Sequence, residues 1–186
     1  MSTVDTRWAA ATDAHDVALV HVASWRVAYR GLLPDDMLDQ LSVDSRAESW
    51  RRWLSRSLSG EPTDGEAGPS HRLIVAHEGH EVLGWVGFGG GRDAADAHRG
   101  ELAGLYVHSD HWKRGVGSTL LARAEKELRL DGWKQSYLWV LAGNDRAITF
   151  YQRHGWLPDG GEKTVRISTG FEVRELRHSS PVTTSP

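Results

Sequence analysis

The amino-acid sequence predicts a mixed α/β domain built around one central sheet. Three observations support this fold class: apolar residues recur at helical spacing in the first third of the chain, short strand-like segments follow, and strand and helix patterns then alternate. The 186 residues suffice for one domain with a buried core. We place this domain at residues 1–178 and expect residues 179–186, rich in Ser, Thr and Pro, to form a disordered tail.

Three helices are predicted ahead of the first strand. Thr12 or Asp13 can cap the first helix, which continues to Tyr29 before the Gly- and Pro-containing break at residues 31–34. A second helix follows the break, and a third begins near Ser45. The apolar positions of the three helices are Val17, Val20, Val22, Trp25 and Tyr29, then Met37, Leu38 and Leu41, then Trp50, Trp53 and Leu54. Residues 57–70, rich in Ser, Gly, Pro and acid, are expected to form a surface loop that can act as a mobile flap.

The rest of the chain supplies the sheet and two more helices. A turn at residues 78–80 joins predicted strands at 72–77 and 82–89, and a loop at 90–100 leads to a strand at 101–107. The clearest amphipathic helix spans residues 115–129. A buried strand at 137–141, a helix at 145–154 that Gly155 ends, and strands near 163–167 and 171–176 complete the domain.

Composition excludes several classes of function. The formal net charge of −3 provides no strong field toward nucleic acid, and we expect no nucleic-acid partner. The absence of cysteine excludes disulfides, thiolate metal sites and a cysteine nucleophile. The N-terminal residues lack a signal-peptide pattern and no apolar run is long enough to span a membrane, so we expect a cytoplasmic protein without a membrane partner. The sequence leaves open whether the protein forms a homodimer.

A phosphate-binding helix start is the most informative local feature. Gly115 and Gly117 open the amphipathic helix directly after a strand and a basic loop. The first turn of a helix has unpaired N–H donors and a partial positive charge, and Lys113 and Arg114 add charge beside it. The dinucleotide fingerprint is excluded because Leu120 occupies its third glycine position, and no P-loop string is present. The pattern therefore predicts a pyrophosphate site at residues 113–118.

Two motifs resemble those of the GNAT family of N-acetyltransferases. Residues 112–117 are similar to the acetyl-CoA signature Q/R-x-x-G-x-G/A, with Trp112 at its first position. Residues 138–160, LWVLAGNDRAITFYQRHGWLPDG, resemble the family's later motif, and WRVAYRGLLPDDMLDQLS near the N-terminus looks like a common subgroup. The resemblance covers roughly residues 10–177. It implies a single domain whose mixed sheet is flanked by helices, with a splay between the strands before and after the CoA-binding helix.

The same resemblance implies a function and a set of binding residues. The expected activity is direct transfer of an acetyl group from acetyl-CoA, as co-substrate, to a primary amine of a small molecule. Asn144 lies at the expected splay, where its side chain would contact the CoA arm. The residues expected to bind the cofactor are Leu105, Tyr106, Val107, Lys113, Arg114, Gly115, Val116, Gly117, Ser118, Asn144 and Tyr151.

The resemblance also implies catalytic roles, because Tyr151 lies where many members place a phenol near the thioester sulfur and Glu101 lies on the strand that lines the acetyl group in this family. Tyr151 is the candidate acid for the departing thiolate, and a backbone N–H of strand 101–107 would stabilise the oxyanion. The attacking amine must lose a proton, and Glu101 is the candidate base because acids on this strand act as bases in some members. His108 is an alternative base. No metal is expected, because His108 and His111 lack a third ligand.

The acceptor site is less defined. Trp25 and Tyr29 are four residues apart and share a helix face, so they either line an amine pocket by cation–π contact or belong to the core. Trp50 and Trp53 are further rings that could shape such a pocket. Three alternative functions remain: a non-catalytic acetyl-CoA sensor or scaffold, an acetyltransferase of protein N-termini or lysines, and an interaction module that presents tryptophans.

Overall fold

A computed structural model describes residues 4–64, 68–167 and 170–181. It contains one sheet of seven strands in the order β1-β2-β3-β4-β5-β7-β6. The β4–β5 pair is parallel and the other neighbouring pairs are antiparallel. The predicted mixed α/β class is therefore confirmed. The elements are β1 (Asp5–Trp8), α1 (Ala14–Ala28), α2 (Asp35–Asp39), α3 (Val43–Leu58), β2 (Arg72–Glu78), β3 (Glu81–Gly90), β4 (Gly100–Val107), α4 (Val116–Leu130), β5 (Gln135–Leu141), α5 (Asp145–Arg153), β6 (Leu157–Arg166) and β7 (Glu172–Pro181).

Helices cover both faces of the sheet. Alternate residues of β2 point to opposite faces, as the two-residue period of a strand requires. Leu73 and Val75 belong to a cluster with residues of α1 and α3, whereas Ile74 and Ala76 belong to a cluster with residues of α4 and α5. Each fully buried aliphatic side chain contributes roughly 1.5–3 kcal/mol, so these two clusters hold the helices on the sheet.

The strands β4 and β5 separate shortly after they begin. They pair only at Gly100 with Ser136 and at Glu101 with Tyr137. β5 continues along β7 instead, and the β5-facing edge of β4 stays open beyond Glu101. The register of β4 against β3 also shifts between Leu102 and Gly104, which is a β-bulge at Ala103. The predicted splay is confirmed, and it positions the site.

Local interactions set the helix starts. The side chain of Ser42 accepts a hydrogen bond from the Ser45 N–H (3.3 Å), so α3 begins two residues before the predicted start. The Oδ1 atom of Asn144 accepts one from the Ala147 N–H (3.2 Å) and caps α5. The start of α4 is different, because Gly115 adopts a left-handed conformation (φ +84°) and no side chain caps the helix.

Several predicted boundaries are wrong. The strand β1 was not predicted, because four residues with a single large apolar side chain show no strand pattern. Strand β7 continues to Pro181, so the expected domain boundary at residue 178 falls inside a strand; pairing with β5 satisfies the backbone groups of these polar residues. Strand β6 begins at Leu157 rather than near residue 163, and Ser57 and Leu58 belong to α3 rather than to the loop. Residues 65–67 of that loop and residues 182–186 of the expected tail lie outside the described residues.

Within the described ranges, no helix combines the length and the apolar character that crossing a membrane requires.

Candidate functional site

The splay opens into a cavity of about 820 Å³, a size typical of small-molecule sites. Its walls come from α1, β4, the start of α4, α5 and the inward face of the β5-β7-β6 part of the sheet. Of the residues predicted to bind the cofactor, all but Arg114 line this cavity, and Glu101, Trp25 and Tyr29 line it as well. The sequence-based candidates are thus brought together in one place.

Backbone donors are concentrated where α4 begins. The first intrahelical hydrogen bond at this end runs from the Thr119 N–H to the Gly115 carbonyl (3.0 Å), which leaves the N–H groups of Val116, Gly117 and Ser118 without an intrahelical acceptor. Lys113 has φ +62°, and no other non-glycine residue in the described part of the chain has a positive φ. Such strain persists where the surroundings enforce it, often at binding sites. The unpaired N–H groups at the start of α4 are therefore suited to binding an anion.

Gly117 keeps this end of the cavity open. A Cβ atom at this position would lie 3.4 Å from the Phe150 ring of α5 and 3.8 Å from Leu105 of β4. A methyl group would therefore touch both walls, and any longer side chain would occupy the space between α4 and α5. The residue type at position 117 thus matters for a ligand more than for the backbone, whose φ is not in the left-handed region.

The charges at this end differ from the prediction. The Arg114 guanidinium lies 3.2 Å from Glu78 and 2.7 Å from the Nδ1 atom of His111, outside the cavity lining, so its contact with phosphate stays a prediction. Arg146 of α5 lines the cavity instead, with its guanidinium 3.0 Å from the centre of the Trp112 ring. Trp112 in turn donates from Nε1 to the Val107 carbonyl (2.8 Å).

A histidine closes the far side of the same end. His154 Nδ1 lies 2.8 Å from the Phe150 carbonyl, and Nε2 lies 3.0 Å from the Ser118 hydroxyl. Because a carbonyl only accepts, Nδ1 carries the proton and Nε2 accepts from Ser118. This bond joins the first turn of α4 to the residue that follows α5. Neither Arg146 nor His154 was predicted to line the site, although both lie on the predicted helix 145–154 that carries Tyr151.

Tyr151 and Asn144 present polar groups between the two strands. Tyr151 is buried yet lines the cavity, and burial, with a smaller effect of Tyr106, raises the pKa of its phenol. The hydroxyl is therefore protonated throughout the physiological range. The Oδ1 atom of Asn144 is used by the α5 cap, and its amide NH₂ donates no hydrogen bond among the described residues.

Glu101 is held by a dense set of donors. The residue is 1% exposed. Its carboxylate accepts hydrogen bonds from the Arg92 N–H (2.9 Å), the Arg92 guanidinium (2.6 Å) and the Tyr137 hydroxyl (3.1 Å). Burial alone would raise the pKa of Glu101, but the hydrogen bonds and charge of Arg92 outweigh it, and the pKa lies below its ordinary value. These contacts suit a structural anion, so we do not assign the base to Glu101. His108 lies outside the cavity lining, where its Nδ1 accepts from the Asp110 N–H (3.3 Å).

Aromatic rings form the side of the cavity next to α1. Trp25 and Tyr29 are in edge contact, with ring centres 5.0 Å apart, and the Tyr29 hydroxyl lies 3.1 Å from that of Tyr106 on β4. Both α1 rings also pack against a buried cluster, so they serve the core and the cavity together. Trp50 and Trp53 do not line the cavity; they pack in the cluster beneath α1 and α3.

The sheet contributes residues that the sequence analysis missed. Trp139 of β5, Lys163 of β6 and Glu175 of β7 all line the cavity. Lys163 Nζ lies 4.2 Å from the centre of the Trp139 ring, 3.4 Å from Asp93 and 3.8 Å from Glu175. These residues are close because of how β7 pairs with β5 and β6, and that pairing could not be predicted from the sequence.

Within the described residues, no group of three or more His, Cys, Asp or Glu side chains is arranged to hold a metal ion.

Comparison with known proteins gives consistent results. The chain is 31% identical over 151 residues to the uncharacterized N-acetyltransferase YuaI of Bacillus subtilis (strain 168), which covers 81% of this chain and 79% of that protein. Its fold is similar to the crystal structure of PaiA N-acetyltransferase from Thermoplasma acidophilum in complex with coenzyme A, with a TM-score of 0.71 and 18% identity over 96% of this chain and 99% of that one. It is also similar to yncA from Salmonella typhimurium, solved with its cofactor acetyl-CoA, with a TM-score of 0.68 and 19% identity over 100% of this chain and 97% of that one.

The family model gives the most direct evidence. The model of the Acetyltransferase (GNAT) family matches residues 34–156, which span α2 through α5 and include the start of α4, the splay and Tyr151. On this match, on the relative from Bacillus subtilis and on the fold, the chain belongs to the GNAT acetyltransferase family.

Proposed function

We propose that this protein transfers the acetyl group of acetyl-CoA directly to the primary amine of a small molecule. The observation that carries the proposal is that the open edge of β4 and the unpaired N–H groups of α4 face one cavity, whose other end is aromatic and carries a carboxylate. A thioester cofactor and an amine can therefore be held side by side. Holding two reactants in one site supplies much of the rate enhancement of a direct transfer.

The residues present fit acetyl-CoA. The N–H groups of residues 116–118, with Lys113 and Arg146 beside them, would hold the pyrophosphate. The open edge of β4 offers unpaired backbone groups to an extended amide-containing chain, as a sheet edge does to an added strand. The space that a side chain at Gly117 would fill is left for the ligand.

When bound, acetyl-CoA supplies a thioester whose carbonyl carbon an amine can attack. The bulge at Ala103 and the open edge of β4 leave backbone N–H groups available to stabilise the oxygen of that carbonyl. Tyr151 holds a proton at its phenol for the departing sulfur. The rings of Trp25 and Tyr29 exclude water from the acceptor end.

The shape of the acceptor end supports a small acceptor. Leu33 and Leu38, from the segment between α1 and the end of α2, pack with Val173 of β7. This contact closes the gap between the helices and the sheet on that side. An extended peptide would need an open groove there, so a protein acceptor is the weaker alternative.

The test begins with acetyl-CoA binding, measured by isothermal titration calorimetry. Gly117→Glu places bulk and negative charge against the phosphates and should weaken binding at least tenfold. Ala122→Glu adds the same side chain to an exposed position of α4 and should leave the affinity unchanged. Binding of equal strength by Gly117→Glu and the wild type would refute the assigned phosphate site.

Turnover is then measured as CoA release with a panel of small amines and peptides. Release with small amines is the expected result. Acetyl-CoA binding without release by any acceptor would favour a sensor or scaffold, and release with peptides alone would favour a protein acetyltransferase.

A further inference from the structure

Three carboxylates line the cavity, and their surroundings differ. Glu101 is saturated by Arg92 and Tyr137, as described above. Asp145 is exposed in the first turn of α5. Glu175 is partly buried, its side chain 26% exposed, and its carboxylate receives no hydrogen bond among the described residues. A carboxylate that is shielded from bulk water yet lacks a donor is available for a ligand.

The register of the sheet directs Glu175 to the acceptor end. In β7 it lies opposite Leu141 of β5 and Lys163 of β6, and both partners line the cavity. Two residues earlier on the same face of β7, Val173 packs beneath the segment that follows α1. Tyr29 and Tyr106 line the same cavity from the opposite wall, and burial is the main cause of their raised pKa, with a smaller contribution from the negative charge of Glu175. Glu175 thus faces the two tyrosines across the cavity.

The charges around Glu175 leave a negative excess. The cations that act on Glu175 itself are Lys163 of β6 and Arg92 of the loop after β3, and both line the cavity. Two more cations belong to the opposite wall, Arg146 of α5 near Tyr29 and Arg46 of α3 near Tyr106 and Trp25. Arg92 is committed to Glu101, and Lys163 lies closer to Asp93 (3.4 Å) than to Glu175 (3.8 Å). Around Glu175, these two cations therefore serve three carboxylates, which are Glu175, Glu101 and Asp93 of the loop after β3. A positively charged acceptor would restore the balance, and the rings of Trp25 and Tyr29 suit the same charge.

We propose that Glu175 binds the ammonium group of the acceptor and takes a proton from it, so that the substrates are amines that arrive as cations. This inference rests on the proposed acetyl transfer. One N–H bond of the ammonium breaks and its electron pair stays on nitrogen, while an O–H bond forms on the Glu175 carboxylate. The neutral amine is the nucleophile, and the protonated carboxyl later releases its proton to water at the cavity mouth.

The acid strength of Glu175 suits this role. Burial raises the pKa of Glu175, and the positive charges of Lys163 and Arg92 offset only part of that increase. The carboxylate is therefore a stronger base than an exposed glutamate. An alkylammonium with a pKa of about 10 remains a much weaker acid than the carboxyl, so transfer is uphill and a raised carboxyl pKa reduces its cost.

The experiment compares Glu175→Gln and Glu175→Asp with Glu172→Gln, which makes the same change on the same strand at an exposed position paired with Arg166. The wild type must first bind acetyl-CoA and release CoA with an alkylamine; failure at that stage contradicts the proposed function rather than the role of Glu175. Glu175→Gln should then lower kcat/KM for the alkylamine about 10²–10³-fold, a usual range for loss of a general base. Its affinity for acetyl-CoA should stay within twofold of the wild type.

Two further readouts separate this role from a structural one. In the wild type and in Glu172→Gln, kcat/KM should fall at acidic pH with an inflection where Glu175 is protonated, and Glu175→Asp should keep such an inflection at a reduced rate. In Glu175→Gln the inflection should disappear, and kcat/KM should rise about tenfold per pH unit up to the amine pKa of about 10, because only amine that is already neutral in solution reacts. An aromatic amine that is uncharged at neutral pH needs no initial deprotonation, so Glu175→Gln should impair it far less than the alkylamine. An unchanged pH profile, or equal losses with both amines, would overturn the proposal. If Glu175→Gln does not fold, Glu175→Asp decides through the two amines: a larger loss of kcat/KM with the alkylamine than with the aromatic amine supports the proposal, and equal losses overturn it.

Discussion

Replacing Glu101 by Gln distinguishes a structural anion from a catalytic base. The structure predicts that this change weakens the fold and leaves the pH dependence of the rate intact. The lost interactions are charge-assisted bonds from the Arg92 guanidinium and N–H and one bond from the Tyr137 hydroxyl. Gln keeps the size and one acceptor oxygen but loses the charge and turns an NH₂ group toward donors.

The loss of stability in Glu101→Gln can be worked out from these hydrogen bonds. A hydrogen bond to a charged group contributes about 1.5–3 kcal/mol, and the Arg92 side chain is 37% exposed, so water compensates part of the loss. We expect a decrease of about 2 kcal/mol in the free energy of unfolding. For a domain of this size that corresponds to a melting temperature lower by roughly 4–8 °C. Glu172→Gln, at an exposed pair, is the matched control and should change little.

The pH dependence of stability gives a second check. The pKa of Glu101 in the folded protein lies below its ordinary value of 4.5, so its contribution is present above that value and is lost as the pH falls through the folded pKa. The difference in melting temperature between the wild type and Glu101→Gln should therefore be full near neutral pH and shrink in acid. A variant with wild-type stability whose rate no longer falls at acidic pH would refute this reasoning and restore Glu101 as the base.

The remaining predictions concern turnover and the acceptor. Tyr151→Phe should lower kcat about 10²–10⁴-fold while calorimetry finds an unchanged acetyl-CoA affinity, because only the proton for the departing sulfur is lost; an unchanged rate, with chemistry shown to limit turnover, would remove Tyr151 from the mechanism. Trp25→Ala should raise the amine KM about tenfold, or about 1.4 kcal/mol, without weakening acetyl-CoA binding. If Trp25→Ala unfolds the protein instead, the packing of Trp25 against the buried cluster matters more than its contact with the amine.

The end of the cavity at the starts of α4 and α5 could be predicted from the sequence because it depends on local features. Gly115, Gly117 and Asn144 act through helix starts, and the spacing of a few residues determines which backbone groups stay unpaired. All three residues line the cavity, and their roles in binding acetyl-CoA stay predictions. Arg114 is the exception, because its direction depends on Glu78, which a distant part of the chain contributes.

The acceptor half could not be predicted in the same way. Lys163 and Glu175 come together through the pairing of β6 with β7, which leaves no periodic signal between them in the sequence. Likewise, nothing near Glu101 in the sequence indicates that Arg92 and Tyr137 surround it. The hypothesis that Glu101 is a base was reasonable from its strand alone, and only the tertiary contacts argue against it.

The position of the Glu101 network explains why a buried anion belongs there. Glu101 and Tyr137 form the last paired position before β4 and β5 separate. Beyond that point no ladder bonds hold the two strands, so their divergence must be fixed by side chains at its apex. The Tyr137 hydroxyl bonds from β5 to the carboxylate on β4, and Arg92 ties the same carboxylate to the loop after β3. This network fixes the point from which β4 leads toward the α4 donors and β5 leads toward the face shared with Glu175. A base at this apex would have to exchange protons with a ligand while holding the strands in place, whereas Glu175 lies beyond the apex and carries no such constraint.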